Sequence, residues 1–358
     1  MVRPQFLRLQ GYQPILPPEA LEEQGIAGSD LIKLDGNENP YGCSPRVARA
    51  LAEYPSYHIY PDPYQTRLRR ALGDYTHVPY ENIIAGSGSD ELIELTFRLF
   101  LENGDKVISW VPTFGMYRFT AELFGGVEVP LLRDASYELD LGRLEQALDK
   151  RTKIIVVASP NNPTGNTTPM RAIERLLDTG RIVVVDEAYY EFSGITAASH
   201  VPEVDNLIVL RSFSKWAGLA GLRVGYGLFP SSVARYIDAT KQPYNVNSAG
   251  LVAALESLAD LDYLNGRVQA ILEEREALMK GLKGLPFLKP FPSEANFILC
   301  QVVKGKASDL HKGLQKRGIL IRYFDTPLLK DFIRISVGKP EHTTAILKAL
   351  QETNNETV

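Results

Sequence analysis

Residues 181–188, RIVVVDEA, join four consecutive apolar residues to two acidic ones. An unbroken β-branched run of this kind is typical of a strand buried on both faces of a parallel sheet. Similar runs lie on either side of it in the chain: NIIAG (82–86), KVISW (106–110), KIIVVAS (153–159), NLIVLRS (206–212) and VGYGLF (224–229). Helix-like stretches separate these runs. We therefore expect an α/β fold in which a mainly parallel sheet is flanked by helices.

The remainder of the chain has a different pattern. Residues 1–30 are rich in proline and glycine, which favours an extended N-terminal arm. Helical spacing begins near residue 251, and short strand-like runs return in ANFILCQV, GILIRYF and FIRISVG before a final helix after Pro340. We predict an arm (1–30), a segment that joins the small domain (31–55), a large domain (56–255) and a smaller α+β domain (256–358).

Composition narrows the class of protein. The 358 residues are 44% hydrophobic and 23% charged, which is the balance of a globular chain. With 39 basic and 43 acidic residues the net charge is -4, so neither nucleic acid nor an anionic membrane is an expected partner. Two cysteines are too few for a disulfide framework. The first residues do not resemble a signal peptide and no 18-residue apolar run occurs, so we expect a cytoplasmic protein.

The segment after the run at 206–212 carries the first chemical indication. Ser212 and Ser214 precede Lys215, and Arg223 follows it by eight residues. A lysine that forms a Schiff base with an aldehyde cofactor must be partly desolvated, so that its amine is neutral often enough to attack. Two hydroxyls and a guanidinium beside it can hold a phosphate dianion. A solvated lysine in a glycine-rich loop is the alternative, so other motifs must decide.

Two further strand ends place suitable groups near such a cofactor. Asp186 ends its apolar run, and a carboxylate there can pair with a protonated pyridine nitrogen. Tyr189 and Asn162 can both reach a phenolate oxygen of the ring. Capping of the next element by Asp186, and a plain turn around Asn162, are the alternatives.

Anion-binding and stacking groups complete the set. Ser89 is a candidate N-cap of a helix whose free amides, at Ser89 and Asp90, can bind an anion. Phe114 can cover one face of a planar ring, although a core phenylalanine is the more common case. Arg322 and Arg334 interrupt apolar strand patterns, where an unpaired charge would be costly, so they should face an anionic ligand unless they lie at a surface edge.

Taken in order, the motifs resemble one known family. Between about residues 31 and 338, the chain is similar to the fold-type I pyridoxal-phosphate aminotransferases, and within them to the histidinol-phosphate branch. The motifs that carry the resemblance are NENPYG (37–42), YPD (60–62), SGSDEL (87–92), PTFGMY (112–117), SPNNPTG (159–165), VDEAYYEF (185–192), SFSKWAGLAGLR (212–223) and FIRISVG (332–338). Phe114 stands where many relatives have tyrosine, and Ser212 where threonine is frequent in this branch.

The resemblance implies pyridoxal 5'-phosphate as cofactor and Lys215 as the residue that binds it covalently. It places Asp186 at the ring nitrogen, and Asn162 and Tyr189 at the phenolate oxygen. The implied phosphate contacts are Ser89, Asp90, Ser212, Ser214 and Arg223, with Tyr60 from the neighbouring subunit of a homodimer. The implied substrate contacts are Arg334, Arg322, Tyr12 and Asn37, of which the last two match the family more loosely.

The implied reaction is amino transfer between L-histidinol phosphate and 2-oxoglutarate, in histidine biosynthesis. An aromatic amino-acid aminotransferase and a threonine-phosphate decarboxylase are the alternatives on the same scaffold. Other classes fit less well. A nicotinamide dehydrogenase needs a third glycine at the position where Glu91 stands. An α/β-hydrolase needs a G-x-S-x-G turn, which this sequence does not contain. A zinc enzyme needs clustered ligands, whereas the five histidines are scattered along the chain. A binding protein without catalytic activity would not need such a lysine beside a phosphate site.

Overall fold

The computed structural model describes residues 31–357, together with residues 2, 4–7, 9, 11, 14, 15 and 17. Its strands are β1 (Ile32–Leu34), β2 (Ile83–Gly86), β3 (Lys106–Val111), β4 (Val127–Leu132), β5 (Thr152–Ala158), β6 (Ile182–Asp186), β7 (Leu207–Ser212), β8 (Gly225–Leu228), β9 (Leu288–Pro290), β10 (Phe297–Val302), β11 (Ile319–Tyr323) and β12 (Phe332–Ser336).

The α-helices are α1 (Pro45–Glu53), α2 (Thr66–Thr76), α3 (Gly88–Phe100), α4 (Met116–Leu123), α5 (Leu141–Ala147), α6 (Met170–Leu177), α7 (Tyr190–Ser193), α8 (Ser231–Thr240), α9 (Ser248–Leu258), α10 (Leu261–Lys283), α11 (Ala307–Lys316) and α12 (Pro340–Thr357). Short 3₁₀ turns lie at Pro4–Leu7, Tyr80–Asn82, Ala198–Glu203 and Ala220–Leu222.

Seven strands form the large sheet, in the order β2-β8-β7-β6-β5-β3-β4. The pairs from β4 to β7 are parallel, and β8 runs antiparallel to both of its neighbours. Val183 and Val185 of β6 belong to one apolar cluster and Val184 to another, so both faces of the sheet are covered. The expected mainly parallel sheet flanked by helices is therefore confirmed. The continuous apolar runs do correspond to strands that are buried on both faces.

A second sheet has five strands, in the order β1-β11-β12-β10-β9. β1 pairs in parallel with β11 although nearly the whole chain separates them in sequence, and the other pairs are antiparallel. Residues just after β1 thus lie where this small sheet meets the large one. The division into four segments given above stays a prediction.

Two local predictions were wrong or incomplete. The N-cap of α3 is Ser87 and not Ser89, because Gly88 already adopts a left-handed turn (φ +79°) and the Glu91 carboxylate accepts from the Ser87 amide at 2.6 Å. β4 was not foreseen. It is an edge strand that contains Pro130 and is mostly exposed on its outer face, so its sequence lacks the apolar run of a central strand.

Candidate active site

The candidate site lies at the carboxyl ends of the parallel strands. β6 ends at Asp186 and its parallel neighbour β7 ends at Ser212, three residues before Lys215. In open α/β sheets this edge is where ligands bind, because the strands stop there and their backbone groups and loops face a crevice. The acid and the lysine, which were predicted from separate motifs, therefore lie at or just after the ends of neighbouring strands.

Lys215 is partly buried, and its amine donates to the Gly36 carbonyl oxygen at 3.0 Å. Burial lowers the pKa of Lys215 to about 8, and the nearby positive charge of Arg334 acts in the same direction. The amine lies 5.9 Å from the centre of the Tyr189 ring. Near neutral pH a far larger share of this amine is uncharged than of an ordinary lysine, and the uncharged form is the one that acts as a nucleophile or general base.

Asp186 is buried, and two donors hold its carboxylate. The Tyr117 hydroxyl donates to one oxygen at 2.7 Å and the Ala188 amide to the other at 3.1 Å. Burial raises the pKa of Asp186 to about 6, while the hydrogen bond from Tyr117 lowers it. Sequence reasoning missed Tyr117. Its signal was its position on α4, three residues after Phe114, whose ring meets the Tyr117 ring edge-on at 5.7 Å.

Tyr189 is joined to Asn37 by a hydrogen bond. The Asn37 amide nitrogen donates to the Tyr189 hydroxyl at 2.8 Å, and both side chains are buried. Ser336, the last residue of β12, donates to the Asn37 side-chain oxygen at 2.9 Å and accepts from the Asn37 backbone amide at 2.9 Å. Asn37 is therefore held between the small sheet and Tyr189.

Asn162 and Arg334 are also brought together. Arg334 donates to the Asn162 side-chain oxygen and to the Asp35 carbonyl oxygen, each at 2.5 Å. Because the side-chain oxygen of Asn162 accepts from Arg334, the side-chain nitrogen is the atom that can donate to a ligand.

The two predicted substrate arginines lie directly opposite each other on antiparallel strands. Arg322 of β11 is paired in register with Arg334 of β12, and the guanidinium carbons lie 5.6 Å and 5.8 Å from the centre of the Phe324 ring. Like charges at directly opposed positions destabilise a sheet. An anionic ligand bound beside both guanidinium groups would reduce this repulsion.

A turn suited to a phosphate precedes α3. Arg223 lies over Gly88, where a β-carbon would be only 2.6 Å from the guanidinium, and it pairs with Asp90 at 2.7 Å. Gly225 of β8 packs against the start of the helix, because a β-carbon at this position would lie only 2.5 Å from the Ser89 amide nitrogen. Glycine at both positions lets the helix start, the arginine and the strand approach closely. On the neighbouring segment, the Ser214 amide donates to the Ser212 hydroxyl at 3.1 Å.

Three predicted residues remain, namely Phe114, Tyr60 and Tyr12. Phe114 is partly buried beside Tyr117. Tyr60 is 78% exposed, and its ring stacks on Tyr244 with centroids 4.5 Å apart. Tyr12 lies outside the described residues.

The groups present fit pyridoxal phosphate. Its aldehyde is matched by the partly buried amine, and its ring nitrogen by the buried carboxylate. Its phenolate oxygen is matched by a phenol and an amide, and its phosphate by a helix start with hydroxyls and an arginine. Among the described residues no three of His, Cys, Asp and Glu cluster in a way that could hold a metal ion. In the same part of the chain, none of the helices has the length and apolar character needed to cross a bilayer.

Comparison with known proteins agrees with this arrangement. The family model described as aminotransferase class I and II matches residues 29–350. The chain belongs to the class I and II aminotransferases.

This aminotransferase is 48% identical to the histidinol-phosphate aminotransferase of Dehalococcoides mccartyi strain 195 over 342 residues, which cover 96% of this chain and 94% of that protein. It is 45% identical to the chloroplastic histidinol-phosphate aminotransferase of Nicotiana tabacum over 98% of this chain and 86% of that one. Among solved structures, the Sinorhizobium meliloti histidinol-phosphate aminotransferase in complex with pyridoxal-5'-phosphate superposes with a TM-score of 0.90 at 27% identity, covering 100% of this chain and 98% of the other.

Proposed function

We propose that this aminotransferase uses pyridoxal phosphate bound to Lys215 to transfer an amino group between L-histidinol phosphate and 2-oxoglutarate, which gives imidazole acetol phosphate and glutamate. The proposal rests on the 48% and 45% sequence identity, over nearly the whole chain, to enzymes named for this substrate. The opposed pair Arg322 and Arg334 supports it, because each of the two substrates carries an anionic group away from the reacting amine.

The cofactor supplies an electron sink for the carbanion that forms when the substrate loses its α-proton. Lys215, with its lowered pKa, takes that proton as general base and returns it later in the cycle. Asp186 would keep the ring nitrogen of the bound cofactor protonated, and Tyr117 holds this acid in place. Tyr189 and the amide of Asn162 would donate to the phenolate oxygen. The start of α3, with Ser212, Ser214 and Arg223, would hold the phosphate.

The substrate is oriented by the arginine pair. For histidinol phosphate the guanidinium groups bind the phosphate, and for glutamate they bind carboxylates, so one site serves both half-reactions. Arg334 hydrogen-bonds Asn162, a predicted cofactor contact, whereas Arg322 lies on the neighbouring strand β11. We expect Arg334 to contribute to both substrates and Arg322 chiefly to the phosphate of histidinol phosphate.

Full turnover on a set of amino donors tests the assignment. With 2-oxoglutarate as acceptor, kcat/KM should be highest for L-histidinol phosphate. Comparable or higher kcat/KM for L-phenylalanine would replace it with an aromatic aminotransferase, and release of CO₂ from L-threonine phosphate would replace it with a decarboxylase.

We also propose that two copies pair through the exposed aromatic patch of residues 57–64 and Tyr244. Tyr57, Ile59, Tyr60 and Tyr64 are each at least half exposed, which is unusual for so many large apolar side chains in one short segment. A partner copy would cover this patch and bring Tyr60 to the other subunit's phosphate. Light scattering should give a dimer mass for the wild type, and a monomer mass would rule the pairing out. The cytoplasmic location stays a prediction.

A further inference from the structure

We propose that Asn37 is a positioning residue that sets the direction and strength of the hydrogen bond from Tyr189 to the cofactor's phenolate oxygen. This inference rests on the role proposed above for Tyr189. It goes beyond that role, because it assigns to Asn37 and Ser336 a function in the chemistry of the cofactor and not in contact with the substrate.

The first support is how the Asn37 side chain is used. Its nitrogen donates to the Tyr189 hydroxyl at 2.8 Å and its oxygen accepts from Ser336 at 2.9 Å. Each end of the amide therefore makes a hydrogen bond within the protein. Together the two bonds fix the orientation of the amide and direct one of its N–H groups at Tyr189.

The second support is the backbone of Asn37. Its φ is +53°, a left-handed conformation that asparagine tolerates better than most residues other than glycine. The Asn296 side chain donates to the Asn37 carbonyl oxygen at 2.9 Å, and the Asn37 amide donates to Ser336. Non-glycine residues in this region persist where surrounding contacts hold them, and they are enriched at active sites.

The consequence for Tyr189 follows from the donor and acceptor capacity of a hydroxyl. A phenol has one proton to donate, and an oxygen that accepts from Asn37 must direct its own proton elsewhere. The donated hydrogen bond also polarises the phenol, which makes it a stronger donor in turn. Asn37 thus directs the Tyr189 proton away from itself, and in the loaded enzyme the proposed acceptor of that proton is the phenolate oxygen of the cofactor.

The readout is the pH titration of the absorption band of bound pyridoxal phosphate. A donor to the phenolate oxygen stabilises the form with an unprotonated nitrogen on the lysine linkage, so weakening that donor raises the pKa of the band. Asn37→Ala should raise this pKa by roughly half a unit to one unit, the shift expected for one hydrogen bond of ordinary net strength. Ser336→Ala should shift it in the same direction by less.

Asn37→Asp separates the hydrogen bond from packing. The side chain keeps its shape, but the atom facing Tyr189 becomes an acceptor that competes for the tyrosine proton and adds negative charge. We expect a larger upward shift than for Asn37→Ala. Asn82→Ala is the matched control, because Asn82 is also a buried asparagine with a hydrogen bond to a backbone carbonyl but lies at the opposite end of β2 from the phosphate turn. It should lower thermal stability and leave the band pKa unchanged.

A Tyr189→Phe background decides the matter. Tyr189→Phe alone should raise the band pKa, and adding Asn37→Ala to it should cause no further shift, because Asn37 acts through the missing hydroxyl. A full extra shift in that background, or no shift from either Asn37 variant in the wild type, would overturn the positioning role while leaving the proposed function intact. An unchanged band pKa in Tyr189→Phe would overturn both the role of Tyr189 and the inference built on it.

Discussion

Tyr117 donates its hydroxyl proton to the buried carboxylate of Asp186 at 2.7 Å. The two residues come from α4 and β6, and the contact places a neutral donor behind the acid that faces the predicted ring nitrogen. A buried carboxylate with so few donors has its pKa raised to about 6, and the hydrogen bond from Tyr117 opposes that rise. Tyr117 therefore helps to keep Asp186 ionised when the cofactor binds.

The first prediction concerns this contact. Tyr117→Phe removes the donor, so the pKa of Asp186 in the apoenzyme should rise further and the acid should be protonated over more of the range near neutral pH. Affinity for pyridoxal phosphate at pH 7 should fall roughly 3- to 10-fold, the effect of one ordinary hydrogen bond. Fluorescence titration between pH 5 and 8.5 should show the inflection in affinity moved to higher pH.

Tyr75→Phe is the control for that experiment. Tyr75 is a partly buried tyrosine whose hydroxyl also forms a hydrogen bond with an acidic side chain, that of Glu191 at 3.3 Å. Its loss should leave cofactor affinity unchanged. Equal effects from the two variants would show that Tyr117 acts through packing alone.

The second prediction concerns Arg322. Arg322→Met should raise KM for L-histidinol phosphate roughly 10- to 100-fold, as expected for the loss of a charged hydrogen bond, and should change kcat less. KM for glutamate should change less than KM for histidinol phosphate, since Arg334 is expected to bind both substrates. Arg235→Met, at an exposed arginine that hydrogen-bonds Tyr236, is the surface control. A uniform loss for both substrates would contradict separate roles for the two arginines.

The third prediction concerns the pH dependence of cofactor capture. The pKa of Lys215 is lowered to about 8 by burial and by Arg334, so the apoenzyme should bind pyridoxal phosphate covalently faster as pH rises through about 8. Arg334→Gln removes the larger of the two positive charges that lower this pKa, so the pKa should rise and the rate profile should move to higher pH. Stopped-flow absorbance measures both profiles. A profile that does not move in the variant would exclude the electrostatic contribution of Arg334.

The fourth prediction concerns a buried carboxyl group behind the site. Burial raises the pKa of Glu191 to about 8, well above its ordinary value near 4.5, so the group is protonated in the folded protein at neutral pH. Its contribution to stability is complete below pH 4.5 and is lost as pH rises through 8. Glu191→Gln should therefore lose less stability between pH 5 and pH 9 than the wild type in urea unfolding.

The neighbouring Glu187 should behave differently. It forms a buried ion pair with Arg211 at 3.0 Å, so Glu187→Gln leaves a buried guanidinium without its charge partner. We expect a loss of about 3–5 kcal/mol in the free energy of unfolding, as for other broken buried pairs. A small loss for Glu187→Gln, or a large one for Glu191→Gln at pH 7, would contradict this division between the two acids.

Much of this architecture could be predicted from local sequence. The strand ends at Asp186 and Ser212 follow continuous apolar runs, and such runs mark buried parallel strands whatever the rest of the chain does. The contacts of Tyr117 and Ser336 could not be predicted. They join residues 69 and 299 positions apart, and nothing in a helix face or a strand alternation shows which distant side chain will be met. The role of Asn37 as a substrate contact stays a prediction, and its hydrogen bond to Tyr189 was not predicted.

The central claim is that this site recognises the phosphate of histidinol phosphate and transfers its amino group through Lys215. It is tested most directly by mixing the pyridoxal-phosphate-loaded protein with L-histidinol phosphate or with L-histidinol, and following the loss of the cofactor band in a single half-reaction. We predict conversion by histidinol phosphate with at least roughly 100-fold higher efficiency than by histidinol, because only the former engages the arginine pair, and no conversion in Lys215→Ala. Equal efficiency for the two donors, or conversion that persists without Lys215, would contradict the account.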